Sequence, residues 1–514
     1  MIAKWFNTQR ICFGLLILFT AFLALYNLDG CPAFISMDEG YRLQFAKNLV
    51  LYDKYAILTH EGFGPFAGSG GTGAVATGVT VILPITLAFE VLGVTLWAAR
   101  LVMALYLIAS VVTLYLCARS LYDARVALLA SLLFLFAGPP WLNTVAMGRW
   151  VYGEVPALAF LFLGCSIWFA SLQEDDFRRL IAASICFGLA TLTKDLLSFA
   201  LVGSLASVYV VDRVHSKRLK LRQVVVPILF SIASIIGWRA LADSQSTGVD
   251  IPAGGFLARA SIRLLAFAPH LSYDSLKFLV EYGFILWAIP ALAHTVLVAL
   301  NRKDSLDSSR QLLLPFFVTI WMLWYVIASI GWHRYAYPGW AVSSILVAKF
   351  LCDLAREFKV EWPIVFTPTQ WRKFLPKLHN LPVLLLILIM LLWPAQNTVR
   401  RIVEGDNQTP EEFAHYIETN LPPDVLIASA EWEIDFLTNR AYLHPTGLGD
   451  AYIKHLFLGH PLEESYDIAA YEPDYIIDGP YNKGVGFISP EFVESRGKLI
   501  VSIGEYDLYQ VIEE

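Results

Sequence analysis

Charged residues are scarce in this sequence. They make up 16% of the 514 residues, whereas hydrophobic residues make up 57% and the mean hydropathy is +0.56. Soluble globular chains carry about 25% charged and roughly 45–50% apolar residues. This shortage of charge excludes a soluble globular protein, and the composition indicates a polytopic membrane protein.

The sequence also lacks an excess of positive charge and a set of paired cysteines. The net charge is −6 and the isoelectric point is near 6.0, which argues against a nucleic-acid partner. Of six cysteines, only Cys31 falls clearly on the far side of the membrane, and residues 399–514 contain none, so we expect no disulfide framework there. No His or Cys cluster has the ligand spacing of a zinc site, and no nucleotide-binding signature or internal repeat is present.

Long apolar runs, by contrast, are abundant. The first run, residues 11–28, is about 18 residues long, and no small-residue cleavage site separates it from Asp38, so we interpret it as a retained membrane helix rather than a signal peptide. The candidate spans are residues 11–28, 76–93, 98–118, 126–142, 155–171, 180–193, 196–211, 223–241, 276–300, 311–331, 337–351 and 381–398.

The distribution of basic residues decides which of these segments cross. If residues 76–93 crossed, the basic stretches 213–222 and 356–377 would fall outside, against the positive-inside rule. We therefore predict about eleven crossings, a cytoplasmic N-terminus and an extracytoplasmic C-terminus. Residues 76–93 then form a helix on the outer surface, within a first outer loop of residues 29–97. The alternative is that they cross and a short segment such as 180–193 does not.

Two adjacent acids, Asp38 and Glu39, head an amphipathic segment in that first outer loop. Ser36 and Glu39 have the spacing of a capping box, which explains Glu39 without a catalytic role. It does not explain Asp38, which is flanked by Phe34, Ile35 and Met37 at the membrane edge. Desolvation there predicts a raised pKa, which suits a general base.

A second polar group lies in the outer loop that holds Arg149 and Glu154. The predicted topology places this loop on the same side as Asp38. Ionisable residues at membrane depth are functional candidates by default. The structural alternative is that Arg149 pairs with Glu154 or extends its charge to the interface.

Basic residues near the same surface could bind a phosphate. Lys194 ends a predicted span, and His333, Arg334 and Tyr335 fill a short outer loop. A lysine, an arginine and a histidine that meet near the lipid headgroups would suit a phosphate. The alternative is interface anchoring by an aromatic belt that includes Tyr335.

The composition changes near residue 400, which divides a membrane module, residues 1–398, from an extracytoplasmic α/β domain, residues 399–514. Thr409 is expected to cap a helix that continues to Asn420. Four short apolar runs predict strands: residues 425–428, 475–477, 499–501 and 506–512. The Gly-rich residues 68–73 lack the lysine of a phosphate loop, which favours a mobile lid or linker.

Several motifs in this order resemble the polyprenyl-phosphate-dependent C-type (GT-C) glycosyltransferases, most nearly glycosyltransferase family 39 with its protein O-mannosyltransferases and aminoarabinose transferases. They include the Asp38–Glu39 pair, the segment from Arg149 to Glu154, Leu192–Thr193–Lys194 and Arg334–Tyr335. The resemblance implies a helical GT-C membrane fold and an inverting transfer of a sugar from a polyprenyl monophosphate outside the cytoplasm.

The resemblance also implies roles for individual residues. Asp38 would be the base, Glu39 and Glu154 would orient sugar or acceptor, and Arg149, Lys194 and Arg334 would hold the leaving phosphate, with His333 and Tyr335 beside them. No cofactor is required, and a divalent cation near Asp38 is left open. Asp195 departs from the pattern, since relatives usually have glycine after the lysine.

The implied partners are a polyprenyl-phosphate-linked sugar, membrane lipids and an acceptor protein, lipid or glycan, in an inner or plasma membrane. A transporter or flippase of lipid-linked sugars is the competing interpretation. The spans hold few ionisable residues, and the polar residues collect on one predicted face. A one-sided site favours an enzyme over a transporter.

Overall fold

A computed structural model describes residues 2–31, 37–60, 62–64, 78–136, 138–245, 265–301, 306–357, 381–405, 408–444, 455, 457–459 and 468–512. Two of the expectations above concern residues outside these ranges. They are the capping role of Ser36 and the Gly-rich residues 68–73.

The N-terminal part is almost entirely helical, as predicted. Its elements are α1 (Ile2–Leu25), α2 (Met37–Tyr52), β1 (Ile57–Thr59), β2 (Gly62–Gly64), α3 (Val79–Leu92), α4 (Leu96–Leu121), α5 (Ala124–Phe136), α6 (Thr144–Met147), α7 (Glu154–Glu174), α8 (Phe177–Thr193), α9 (Leu197–His215), α10 (Arg222–Gln245), α11 (Pro269–Glu281), α12 (Phe284–Asn301), α13 (Leu306–Ile327), the 3-10 turn His333–Ala336, α14 (Tyr337–Glu357) and α15 (Leu381–Glu404).

Within the described residues, seven helices are long and apolar enough to cross a membrane. Four shorter apolar helices accompany them, Gln9–Leu25, Val79–Leu92, Ala124–Phe136 and Arg222–Trp238. A helix satisfies its own backbone hydrogen bonds, which is what a lipid environment demands. The polytopic helical fold is therefore confirmed, while the number of crossings and their direction stay predictions.

The predicted span 276–300 is wrong as a single helix. Two helices, α11 and α12, replace it, and they are separated at Gly283, whose φ is 74°. Glycine adopts this left-handed conformation without a steric penalty, so the chain turns there.

Helix α3 keeps both of its ends at the end of the bundle that carries Asp38. At its start, the Gly78 amide donates to the Thr193 carbonyl at 3.2 Å, and the hydroxyls of Thr80 and Thr193 are 2.6 Å apart. A Cβ atom on Gly78 would lie 1.8 Å from the Leu192 carbonyl oxygen, so this approach requires glycine. Near its other end, Phe89 stacks on Phe436 of the C-terminal domain.

The C-terminal part is a small α/β domain, as predicted. A four-stranded sheet has the order β3-β4-β6-β5, in which β3 runs parallel to β4 and the other neighbours are antiparallel. The first helix begins at Thr409, but Gln408 occupies the cap position and makes no side-chain cap hydrogen bond, so the predicted Thr409 cap is wrong. The elements are α16 (Thr409–Asn420), β3 (Ile427–Ala428), α17 (Trp432–Leu437), the 3-10 turn Ile468–Tyr471, β4 (Tyr475–Asp478), α18 (Pro480–Val485), α19 (Pro490–Arg496), β5 (Gly497–Ile503) and β6 (Tyr506–Val511).

Candidate active site

Five charged side chains from four separate elements meet at one end of the bundle, and we call them the ion-pair cluster: Asp38, Arg42, Glu154, Lys194 and Arg334. Asp38 accepts a short hydrogen bond from Arg334 and lies 3.4 Å from Arg42, one helical turn further along α2. Glu154, the first residue of α7, lies 2.9 Å from Lys194 Nζ and 3.4 Å from Arg334 Nε. The cluster therefore joins α2, α7, the end of α8 and the turn before α14.

The ring of Tyr152 lies close to both arginines of the cluster. The guanidinium carbon of Arg42 is 5.1 Å from the ring centroid and that of Arg334 is 4.7 Å from it. The electron-rich face of an aromatic ring attracts a guanidinium group. Tyr152 therefore helps to hold two like charges near each other.

The cluster holds more positive than negative charge. Three cations, Arg42, Lys194 and Arg334, face two carboxylates, Asp38 and Glu154, which leaves one positive charge in excess. The Asp38 side chain is 32% exposed, whereas that of Glu154 is 1% exposed. An anion that reaches Asp38 would thus meet cations already fixed in place, the arrangement that binds phosphate.

The predicted rise in the pKa of Asp38 is wrong. Burial alone would raise this pKa, but the guanidinium groups of Arg334 and Arg42 outweigh burial and hold the pKa well below its ordinary value. The sequence showed the apolar neighbours of Asp38 but not the arginine that folds onto it from 296 residues away. Asp38 is accordingly an ionised carboxylate at physiological pH.

Glu39 differs sharply from its neighbour Asp38, because its side chain is fully buried. One carboxylate oxygen accepts from the Val151 amide at 3.0 Å, and the other accepts from Arg100 at 3.2 Å. Both oxygens thus have partners outside α2. As the structure places it, Glu39 fastens α2 to α4 and to the loop before α7.

Arg149 does not lie in the ion-pair cluster, so its predicted contact with the donor phosphate is not supported. Its guanidinium group is buried and donates to backbone carbonyls at the end of α1 and in the following loop, those of Leu23, Ala24, Tyr26, Asn27 and Cys31, at 2.6–3.1 Å. The last carbonyls of a helix lack intrahelical donors and carry partial negative charge. Arg149 therefore caps α1.

His333 and Tyr335 are likewise used for packing. The His333 ring stacks on Phe278, with centroids 4.1 Å apart and planes 6° apart. Tyr335 is buried against Trp324 and Trp332. Both residues thus make aromatic packing contacts, and their predicted contact with a phosphate stays a prediction.

Sequence reasoning missed three residues of this region, Arg42, Arg100 and Tyr152. Arg42 carried a usable signal, because it lies four residues after Asp38 on a predicted helix and so faces it. Arg100 and Tyr152 offered no such local pattern, since their partners come from distant parts of the chain.

The described residues around Asp38 are poor ligands for a divalent cation. Among the described residues, no three His, Cys, Asp or Glu side chains are arranged to hold a metal ion. Both carboxylates of the ion-pair cluster already face cationic side chains, which would repel a second positive ion.

Comparisons with known proteins show what the chain is similar to. Residues 80–238 match the family of dolichyl-phosphate-mannose-protein mannosyltransferases. No curated protein sequence matches the chain. The resemblance to GT-C glycosyltransferases that the motifs predict is thereby confirmed.

Solved structures share the fold over almost the whole chain. ArnT from Cupriavidus metallidurans bound to undecaprenyl phosphate is similar, with a TM-score of 0.65, 15% identity and 98% of both chains covered. The oligosaccharyltransferase of Archaeoglobus fulgidus, tethered with an acceptor peptide, gives a TM-score of 0.60 at 11% identity, covering 97% of this chain and 74% of that one. AglB from the same organism, in complex with an inhibitory peptide and a dolichol-phosphate, gives 0.54 at 10% identity, with the same coverage. The chain thus has the GT-C fold.

Proposed function

We propose that this protein is an inverting glycosyltransferase that moves a sugar from a polyprenyl-monophosphate carrier to an acceptor on the extracytoplasmic face of a cell membrane. The acceptor offers a hydroxyl, an amine or a phosphate. The observation that carries the proposal is the ion-pair cluster, in which a partly exposed carboxylate lies beside an excess of fixed cations. The family match of residues 80–238 and the GT-C fold support it.

The cations of the ion-pair cluster can stabilise the leaving phosphate of the donor. Polyprenyl phosphate becomes the leaving group when the bond between its oxygen and the anomeric carbon breaks. Arg334 and Lys194 are already fixed near Asp38 through Glu154, so they can meet the charge that grows on this oxygen without reorganisation. In this proposal Glu154 orients these cations.

Asp38 can take the proton from the acceptor. As the acceptor oxygen or nitrogen forms a bond to the anomeric carbon, the proton that a hydroxyl or an amine loses passes to the Asp38 carboxylate, which is the general base. A base with a depressed pKa is weak, but the same arginine that depresses it is a phosphate ligand. When the donor phosphate binds beside Arg334, its negative charge offsets that of the guanidinium group, and the pKa of Asp38 rises. Donor binding would thus activate the base.

The proposed orientation follows from the basic loops and keeps the N-terminus in the cytoplasm. The cluster, α3 and the C-terminal domain all lie at one end of the bundle. That end would then face the outside, where a lipid carrier rather than a nucleotide supplies the activated sugar. The donor and the acceptor both reach it from the membrane surface.

The test is turnover of a panel of short-chain polyprenyl-monophosphate sugars by the purified protein, read as release of polyprenyl phosphate. Asp38→Asn should reduce turnover of the accepted donor by about 10²–10⁴-fold, the usual contribution of a general base. Asp53→Asn, which changes an exposed carboxylate at the end of the same helix, is the matched control and should retain activity. Addition of EDTA should leave turnover unchanged.

Two results would contradict the proposal. Full turnover by Asp38→Asn would show that Asp38 is not the general base. Saturable donor binding without turnover by the wild type, unchanged in Asp38→Asn, would instead favour a transporter of lipid-linked sugars.

A further inference from the structure

A short helix of the C-terminal domain, α17, lies directly against the helix that carries Asp38. A Cβ atom on Gly40 would lie 2.5 Å from the carbonyl oxygen of Trp432 and 2.5 Å from the amide nitrogen of Glu433. Only a residue without a side chain allows this approach. The Tyr41 ring also packs edge-on against the Trp432 ring, with centroids 5.2 Å apart. The backbones of α2 and α17 are therefore in contact within two residues of Asp38.

Lys47 makes a second contact on the same face of α2. It lies seven residues after Gly40, which is about two helical turns. Its ammonium group donates to the carbonyls of Asp435 at 3.2 Å, Phe436 at 3.0 Å and also Thr438. These carbonyls belong to the C-terminal end of α17, where unpaired acceptors and the helix dipole attract a cation. Lys47 is 5% exposed and caps a helix of the other domain.

Helix α17 and the residue before it, Glu431, are in turn fixed to α18 and to the sheet of their own domain. The Glu431 carboxylate accepts from the Tyr481 amide at 3.2 Å and the Asn482 amide at 2.8 Å. The Tyr506 hydroxyl donates to Glu433 at 2.8 Å. A displacement of the sheet would therefore move α17, and with it the surface on which α2 rests.

We propose that the C-terminal domain is the positioning element of the transferase and that Lys47 is its positioning residue on α2. This inference rests on the proposed function. Glu39 and Arg100 fix α2 on the side of the bundle, and the contacts of Gly40 and Lys47 with α17 fix it on the other. A misplacement of about 1 Å costs on the order of 10²-fold in rate, so a helix that carries the base needs both supports.

The experiment compares Lys47→Met, Lys47→Arg and Lys54→Met in the full-length protein in lipid nanodiscs. Lys47→Met keeps the length and apolar stem of the side chain but removes its donors. Lys47→Arg keeps the positive charge and the donors. Lys54, exposed just beyond the end of α2, provides the matched control. The readouts are kcat, the donor KM and hydrogen–deuterium exchange of residues 37–52 and 432–437.

Lys47→Met should lower kcat at least about 10-fold and leave the donor KM within roughly twofold, because the cations that hold the phosphate are unchanged. Exchange should rise in both segments. Lys47→Arg should recover most of kcat, and Lys54→Met should match the wild type.

The remaining outcomes overturn this inference in distinguishable ways. If Lys47→Met keeps its kcat, or if exchange in the two segments does not change, the positioning role is wrong while the transferase stands. If Lys47→Met raises only the donor KM, the residue acts on substrate binding instead. A wild type that turns over no donor overturns the proposed function and this inference together.

Discussion

The carboxylates of the ion-pair cluster and the buried acids in and just before α17 lie in opposite electrostatic surroundings. In the cluster, cations outnumber carboxylates and lower the pKa of Asp38. Around α17, Glu431, Glu433 and Asp435 lie together, and their pKa values are raised, first of all by burial. For Glu431 the pKa rises to about 9, with the nearby Glu433 as the second cause.

The difference shows that the neighbours of a carboxylate decide its use. Asp38 is charged, partly exposed and paired with cations that are the proposed phosphate ligands, so it suits the proposed chemistry. Glu431 is protonated at neutral pH and fully buried, and it accepts hydrogen bonds from two backbone amides of the C-terminal domain. The surroundings of Glu431 hold the shape of that domain.

Removal of Arg334 should have the largest effect, because this arginine contributes most to the lowered pKa of Asp38. Arg334→Gln should lower kcat/KM about 10²–10³-fold, the usual cost of losing one fixed donor to a developing oxyanion. Since Arg334 lowers the pKa of Asp38, its loss should raise that pKa and move the acid limb of kcat/KM to higher pH. The measurement is the pH profile of kcat/KM, with the exposed Arg400→Gln as control. An acid limb that stays in place would show that Arg334 does not set the ionisation of Asp38.

Arg149 provides a second test, because it is a buried cation that lies outside the ion-pair cluster. Because its donors are used by carbonyls at the end of α1, Arg149→Ala should destabilise the protein by roughly 2–4 kcal/mol. Chemical or thermal unfolding in detergent measures this loss. The folded fraction should keep the donor KM of the wild type. A raised donor KM at unchanged stability would restore the phosphate role that the sequence predicted.

Substitution of Glu431 should have the smallest effect, and it tests whether the buried acids are protonated in the folded protein. The carboxyl ionises near pH 4.5 when unfolded and near pH 9 when folded, so its contribution to stability is complete below pH 4.5 and is lost as the pH rises toward 9. Glu431→Gln removes this ionisation, and the variant should lose less stability than the wild type between pH 6 and pH 9. Melting temperatures of the full-length protein at both values decide this. Equal losses in both proteins would mean that Glu431 is ionised in the fold.

The fold was predictable because apolar runs and motif order are local signals. They predicted the helical membrane module, the C-terminal α/β domain and the resemblance to GT-C enzymes. In the site, Asp38, Glu154, Lys194 and Arg334 were named correctly as neighbours.

Individual environments were not predictable in the same way. Arg149 looked like a phosphate ligand because nothing in the sequence shows that the end of α1 folds over it. Asp38 looked desolvated because the arginine that pairs with it lies in a distant segment. Such partners depend on how helices assemble, and no local pattern records that.

The contact of Lys47 with α17 also bears on the order in which the protein is made. Lys47 and Thr438 are 391 positions apart in the chain. A ribosome that adds about 5–20 residues per second needs tens of seconds to cover that distance. During this time α2 has been synthesised but lacks its contact with α17. The proposed active centre is therefore completed late in synthesis, when the C-terminal domain has folded and docked on a helix made long before.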